Sequence, residues 1–92
     1  MTIQYNPDFR QNLVSIWRFI ACDSVDRANS FKKQLKEKIA NLSNMPYKFR
    51  QSLYYDDKNI RDLIFKGYTV PYLIDIGNKK IVILDIFKWI KK

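Results

Sequence analysis

The residues best able to do chemistry lie in the last third of the chain, where residues 59–92 read NIRDLIFKGYTVPYLIDIGNKKIVILDIFKWIKK. One arginine, Arg61, sits in an alternating apolar run. Tyr68, Tyr72, Phe87 and Trp89 supply aromatic faces, and Lys66, Lys88 and Lys91 stand at turn and terminal positions. An arginine–aromatic sheet beside a positive rim is a platform for RNA, through stacking and phosphate contacts, or for an acidic protein segment. A second group lies upstream, where Lys48, Arg50 and Lys58 interleave with Tyr47, Phe49, Tyr54 and Tyr55. These residues could contact nucleotides, although aromatics in a connecting loop more often lap over a core. The chain has no histidine, so any proton transfer must run without the side chain that titrates nearest neutrality. Asp56 and Asp57 read as turn residues and not as a catalytic acid pair, because adjacent positions point apart. No metal and no cofactor is expected.

Charge narrows the class of partner. Of a net +8, residues 31–50 contribute +5 (six bases against Glu37) and residues 76–92 contribute +4 (five bases against Asp85). Two separated basic blocks point to a polyanion, either nucleic acid or an acidic protein, and the bland alternative is a solvated surface. At 92 residues, 47% of them hydrophobic, residues 1–92 make one domain with one core. With two glycines and three prolines there is no linker composition. The single Cys22 excludes an internal disulfide and suits a reducing cytosol. No run is long and apolar enough to span a bilayer, and the N-terminus lacks a basic region followed by an apolar one. A cytoplasmic protein with no membrane partner is expected.

The elements that must position these residues follow from periodicity. Residues 2–5 can form a short strand with Ile3 and Tyr5 on one face. Asn6 is a helix N-cap, with Pro7 at the first helical position and Asp8 near the positive dipole end. Phe9, Leu13, Ile16, Trp17 and Ile20 then recur at helical spacing, and the helix should stop near Cys22. Asp23 and Ser24 can cap a second helix with the stripe Ala28, Phe31, Leu35, Ile39 and Leu42, ending before Pro46. Lys33 and Glu37 on its far face are spaced to pair. The short connection predicts a helix hairpin laid on a sheet, with both stripes in the core. The sheet is a meander turning at Lys66-Gly67 and Gly77-Asn78. If each turn has two residues, Arg61 lies opposite Tyr72 and Tyr72 opposite Ile83. One face then carries Arg61, Leu63, Phe65, Tyr68, Val70, Tyr72, Ile83, Asp85 and Phe87, and reads as the functional face. The other carries Ile64, Leu73, Val82, Leu84 and Ile86, and suits the helix hairpin. Pro71 falls in the middle strand, where its missing N–H demands a bulge or a register shift by one.

This order of elements resembles the RelE/ParE superfamily, the toxin halves of bacterial type II toxin–antitoxin pairs. The resemblance covers nearly the whole chain. It rests on Phe9-x3-Leu13-x2-Ile16, on FIACDSVDRANSF at residues 19–31, on Leu42-x3-Pro46, and above all on Arg61 leading into DLIFKGY, then Tyr72, then ILDIF at residues 83–87. It implies an α+β fold in which an N-terminal helix hairpin packs on a small antiparallel sheet with a C-terminal β-meander. It also implies a cognate acidic antitoxin that binds and silences the protein. The target then divides: RelE-like members cut messenger RNA on the ribosome, and ParE-like members inhibit DNA gyrase. A non-toxic, decayed member that only binds antitoxin is the alternative.

Cleavage by a 2′-hydroxyl needs a base, a cation for the developing phosphate charge, and an acid for the leaving oxygen. RelE-like toxins use lysines, arginines and a tyrosine for these tasks. By that resemblance Arg61 and Lys88 take the positions of an arginine and a lysine of the reaction, and Tyr72 or Tyr68 is a substitute acid. Lys48, Arg50, Lys66, Phe87, Trp89 and Lys91 are the matching candidates for nucleic-acid or target binding. The chain departs from the nuclease pattern at Thr69 and Trp89, where those toxins tend to carry arginine, and at Lys92, before their C-terminal tyrosine. For Arg61 the structural alternative is an ion pair with Asp85, Asp62 or Asp75.

Overall fold

Asn6 opens the first helix by accepting the Asp8 N–H on Oδ1 at 2.9 Å, with Pro7 locked in helical φ behind it. The computed structural model describes residues 1–88, so Trp89 and Lys91 lie outside the described residues. After β1 (Thr2–Tyr5), α1 runs Pro7–Ala21 and is capped by Cys22. Ser24 Oγ accepts the Arg27 N–H at 3.2 Å and starts α2 (Val25–Ala40), which a 3₁₀ turn (Asn41–Ser43) ends. Residues 22–24 are too few to do anything but fold the helices back on each other, and Trp17 Nε1 donates across them to Asn29 Oδ1 at 3.1 Å. The whole predicted α2 stripe is buried, as are Phe9 and Leu13, whereas Ile16 and Ile20 are half-buried at the core's edge. Among the described residues the ion pair on this surface is Arg27–Asp23 at 2.7 Å and not the predicted Lys33–Glu37.

The rest of the chain forms β2 (Ile60–Phe65), β3 (Tyr68–Asp75), β4 (Lys80–Ile83) and β5 (Phe87–Lys88). Strand order is β1-β4-β3-β2, with β5 also on β3. The meander is antiparallel as predicted, but β1 pairs with β4 in parallel, so the sheet is mixed. The predicted register holds: Arg61 faces Tyr72 and Tyr72 faces Ile83. Lys66 and Gly67 both have positive φ, +48° and +84°, the geometry of a tight hairpin turn matched to strand twist. The second turn differs from the two-residue expectation. Residues 76–79 make a four-residue loop closed by Lys79 N–H to Ile76 O at 3.1 Å, and the Asp75 carboxylate holds Asn78 through N–H and Nδ2 at 3.2 and 2.9 Å. A loop longer by two residues leaves the register unchanged, because it removes one pair from the ladder, a residue on each strand.

Pro71 is accommodated by a bulge and not by a slip. Ile74 N–H bonds Asn59 O at 2.8 Å, which sets the parity of the β2–β3 ladder and turns the Pro71 nitrogen toward β4. There Leu84 N–H donates to Pro71 O at 2.9 Å, and the strand then leaves the ladder. When it returns as β5, Phe87 faces Thr69, so three residues (84–86) oppose two (70–71). The bulge exchanges the faces of the residues after it. Ile86, which strict alternation sets on the side of Ile64 and Leu84, is for this reason 1% exposed among the core residues of the other side.

The two sheet faces are the reverse of the expected assignment. The helices cover Leu63, Phe65, Val70, Tyr72, Ile74, Ile81 and Ile83, the side that the sequence marks as functional. Ile64 is 42% exposed on the side expected to receive the helices. The reason is physical: aromatics and an arginine do not by themselves mark an open face. Phe31 packs Phe65 and Tyr68 at ring distances of 5.2 and 5.5 Å, because large rings bury the most apolar area. Among the described residues no helix is long and apolar enough to cross a membrane. The corrected faces make adjacent residues differ sharply. Leu63→Ala should lower the unfolding free energy by about 2–5 kcal/mol, and Ile64→Ala by less than about 1 kcal/mol, read as urea midpoints at equal m-value. Comparable losses at both positions would contradict the burial.

Candidate functional site

β2 and β3 set Arg61 and Tyr72 side by side, and the long segment between the 3₁₀ turn and β2 folds onto both. Tyr72 is 0% exposed, and its hydroxyl donates to Pro46 O at 2.7 Å. Phe49 meets it edge-on, with ring centroids 6.5 Å apart and planes at 85°. Arg61 Nη1 donates to Phe49 O at 3.1 Å and Nε to Lys58 O at 3.2 Å, while its guanidinium lies 5.0 Å from the Tyr47 ring centroid. Among the described residues no carboxylate pairs with Arg61. Asp85 Oδ1 instead accepts from Asn12 Nδ2 and Ile86 N–H, both at 2.7 Å, and Asp75 is engaged with Asn78. Burial pushes the Tyr72 phenol up to about 12, an effect the neighbouring Arg61 charge only partly opposes.

The main-chain edge of β2, where Gln51 pairs with Arg61, and the opposite face of the sheet hold the same segment. Asp62, 1% exposed, accepts the Leu53 N–H on Oδ2 at 3.1 Å, and its own N–H donates to Arg50 O at 3.2 Å. Ser52 N–H reaches Ile60 O at 2.8 Å, and Tyr54 packs edge-on against Phe87 at 4.9 Å. Asp57 Oδ1 accepts the Asn59 N–H at 2.8 Å, the turn role read from sequence. Segment 46–58 is thus clasped to β2 and β3 by Tyr72, Arg61 and Asp62 together. Sequence reasoning misses the clasp, whose one signal is Asp62, a carboxylate inside an otherwise apolar strand.

The remaining candidates are dispersed. Lys88 lies opposite Tyr68, four residues along β3 from Tyr72 and so roughly 13 Å away at strand rise. It is exposed, as are Lys48, Arg50 and Lys66, and Phe87 is half-buried. Lys48 Nζ stands 5.7 Å from the Phe49 ring and Lys66 Nζ 5.6 Å from Phe65. Thr69 is wholly buried, and among the described residues its hydroxyl has no partner, nor has one Asp62 oxygen. Among the described residues no three His, Cys, Asp or Glu side chains gather to hold a metal.

Reading both helix stripes wholly as core misses a second surface. Between α1 and α2 runs a groove with Leu13, Val14 and Trp17 on its floor and Arg10, Arg18, Lys32 and Lys36 along its sides. Val14 is 47% exposed. The signal is Val14 itself, an apolar residue just off the stripe and one turn before Trp17.

The Tyr72 environment has a direct readout. Unfolding returns the phenol to about 10, so the folded state holds the proton more tightly, and stability is lost as pH rises from about 10 through about 12. Alkaline titration of the phenolate absorbance should show one of the six tyrosines ionising only as the protein unfolds, and Tyr72→Phe should remove that delayed step. Ionisation of the full complement in the folded state near the ordinary value of about 10 would contradict the burial.

Comparison with known proteins places this arrangement. The family described as ParE toxin of type II toxin-antitoxin system, parDE, matches residues 3–88. No curated protein matches the chain in sequence. Solved structures share its fold at low identity. The chromosomal ParDE system from P. aeruginosa aligns at TM-score 0.75 and 15% identity, over 96% of this chain and 95% of that one. The RelBE2 toxin–antitoxin complex from Mycobacterium tuberculosis aligns at 0.61 and 19%, over 96% and 90%. The isolated E. coli RelE toxin aligns at 0.62 and 12%, over 99% and 86%. With its helix hairpin, its clasped meander and a family match over nearly all of its length, the chain belongs to the ParE toxin family of type II toxin–antitoxin systems.

Proposed function

We propose that this chain arrests growth when free of an antitoxin, and that it does so by binding its target, in the manner of the gyrase-inhibiting branch, and not by cutting RNA. One observation carries the reading. The pair nearest to a catalytic arrangement, Arg61 and Tyr72, is committed to loop carbonyls, and the phenol is buried with its acidity moved to about 12. An acid that must protonate a leaving oxygen near neutral pH works best with a pKa near the working pH and within reach of the substrate. Lys88, the candidate base, is too far along β3 to share one phosphate with Tyr72. The cytoplasm is the compartment in which such a toxin meets its target.

The helix groove supports an antitoxin as partner. Its floor is apolar, and among the described residues four cations line it and no acid does, which suits an amphipathic acidic segment. The similar ParDE and RelBE2 structures are those of a toxin–antitoxin system and a toxin–antitoxin complex, which fits the same assignment. A translation-dependent RNase is the second reading, favoured by the basic segment around Lys48 and Arg50.

Two measurements test this. Inducing the chain without its neighbouring gene should stop growth with DNA breaks and SOS induction, and without codon-positioned RNA cuts. Translation-dependent cuts lost on Arg61→Ala would overturn the binding mechanism in favour of the nuclease. Separately, Val14→Asp with Lys32→Glu should weaken capture of the co-expressed antitoxin by at least about tenfold while leaving a folded protein. Unchanged capture would remove the groove from the interface.

A further inference from the structure

The clasp holds something in place, and the thing it holds is cationic. Along residues 45–50 Tyr47 stays 45% exposed although Arg61 lies 5.0 Å from its ring, Met45 is 61% exposed, and Lys48 and Arg50 are exposed. Lys38 from the end of α2 opens onto the same hollow as Lys48, and Lys58 enters through the carbonyl that Arg61 grips. The segment's own acids, Asp56 and Asp57, lie at its far end, in the turn that leads into β2. We infer that Arg61 and Tyr72 are positioning residues, and that the surface they present, Tyr47 with Lys38, Lys48, Arg50 and Lys58, is a preformed contact for a nucleic-acid phosphate backbone with a base stacked on Tyr47.

Three features favour nucleic acid over an acidic protein at this place. The aromatic is a ring with open area, and it is backed by a guanidinium, the arrangement on which bases stack irrespective of sequence. The cations Lys38, Lys48, Arg50 and Lys58 are all exposed, and Lys38 and Lys48 open onto one hollow, so they are free to meet backbone charges. The apolar, cation-lined groove that suits an amphipathic protein segment lies elsewhere, between α1 and α2. Preorganisation gives Arg61 and Tyr72 their part. Without the Pro46, Phe49 and Lys58 carbonyl bonds, residues 46–50 become a loop that must be ordered at the moment of binding. The surface has the same use whether the toxin's target is gyrase or the ribosome.

The test uses the full chain freed from its antitoxin and fluorescein-labelled single-stranded RNA, single-stranded DNA and duplex DNA of about 20 nucleotides, followed by anisotropy from about 50 to 200 mM KCl. Binding to a single strand should weaken with salt along a log–log slope of about −2 to −3, the signature of three or four phosphate contacts. Lys48→Glu with Arg50→Glu should reduce affinity at least about tenfold and flatten the slope by about 1.4. Tyr72→Phe removes no charge. It should lower affinity about three- to tenfold with the slope unchanged, while amide exchange speeds up across residues 46–50 and not in β3. Should Tyr72→Phe fail to fold by circular dichroism, Arg61→Lys reads the same quantity, since it keeps the charge and loses the fork. No binding by folded wild type at about 50 mM KCl would overturn the proposal. So would indifference to the double reversal, or tighter binding of a polyglutamate of similar length than of either single strand.

Discussion

The rest of the molecule is arranged around one obligation, that a phenol placed in the middle of the central strand must find an acceptor. Tyr72 packs between β2 and β4 beneath the helices, where water does not reach it. An unpaired hydroxyl there costs about 1–3 kcal/mol. The sheet's own carbonyls are occupied by the ladder, so the acceptor has to come from outside it, and Pro46 O comes down from the segment after the helices. Bringing that carbonyl in also brings Phe49 edge-on to the Tyr72 ring and sets the Phe49 carbonyl within reach of Arg61. A long connection that composition alone would leave loose is thereby fixed at both of its shoulders, and the sheet gains a rigid cationic margin.

Much of this is readable from residue order, and the failures share a cause. Both helices and their caps follow from Asn6-Pro7-Asp8 and from Ser24 with the Ala28-to-Leu42 stripe, because local hydrogen bonding and a 3.6-residue period decide them. The strand register is legible because the Lys66-Gly67 turn dictates it, and no distant contact could move it without exposing Leu63 and Val70. The face of the sheet that the helices choose is not legible. Both faces are apolar enough, and the choice turns on Phe31 finding Phe65 and Tyr68. Pro71 announces an irregularity without saying which of two it is, and the answer depends on where β4 ends. The clasp is hidden for the same reason, since apart from the Asp62 carboxylate its acceptors are main-chain carbonyls that leave no mark in a sequence. For the candidate site, residue types and the pairing of Arg61 with Tyr72 can be read from the chain, while the direction in which that pair faces cannot.

The molecule presents two cationic surfaces of different character, and family membership does not make them equivalent. The hairpin groove combines charge with an apolar floor, so a partner there must bring apolar side chains as well as carboxylates. The loop margin combines charge with an exposed ring. Identities of 12%, 15% and 19% to solved relatives leave the fold recognisable because its core positions demand only apolar bulk. The surfaces carry no such shared constraint, which is where members of one fold acquire different targets.

The parallel edge has a consequence for the order of events during synthesis. β1 is made before both helices, yet it hydrogen-bonds to β4, pairing Thr2 with Lys80 and Tyr5 with Ile83. The helix hairpin can form early from local contacts, but the sheet cannot close around residues 2–5 until residues 80–83 have been added. At about 5–20 residues per second that is an interval of several seconds. In the second half of it, once α2 is made, the chain carries the hairpin, with its groove between the helices, and an unfinished sheet. The groove therefore precedes the meander in time as well as in sequence, so a partner that docks on the helices can arrive before the sheet and its clasp exist.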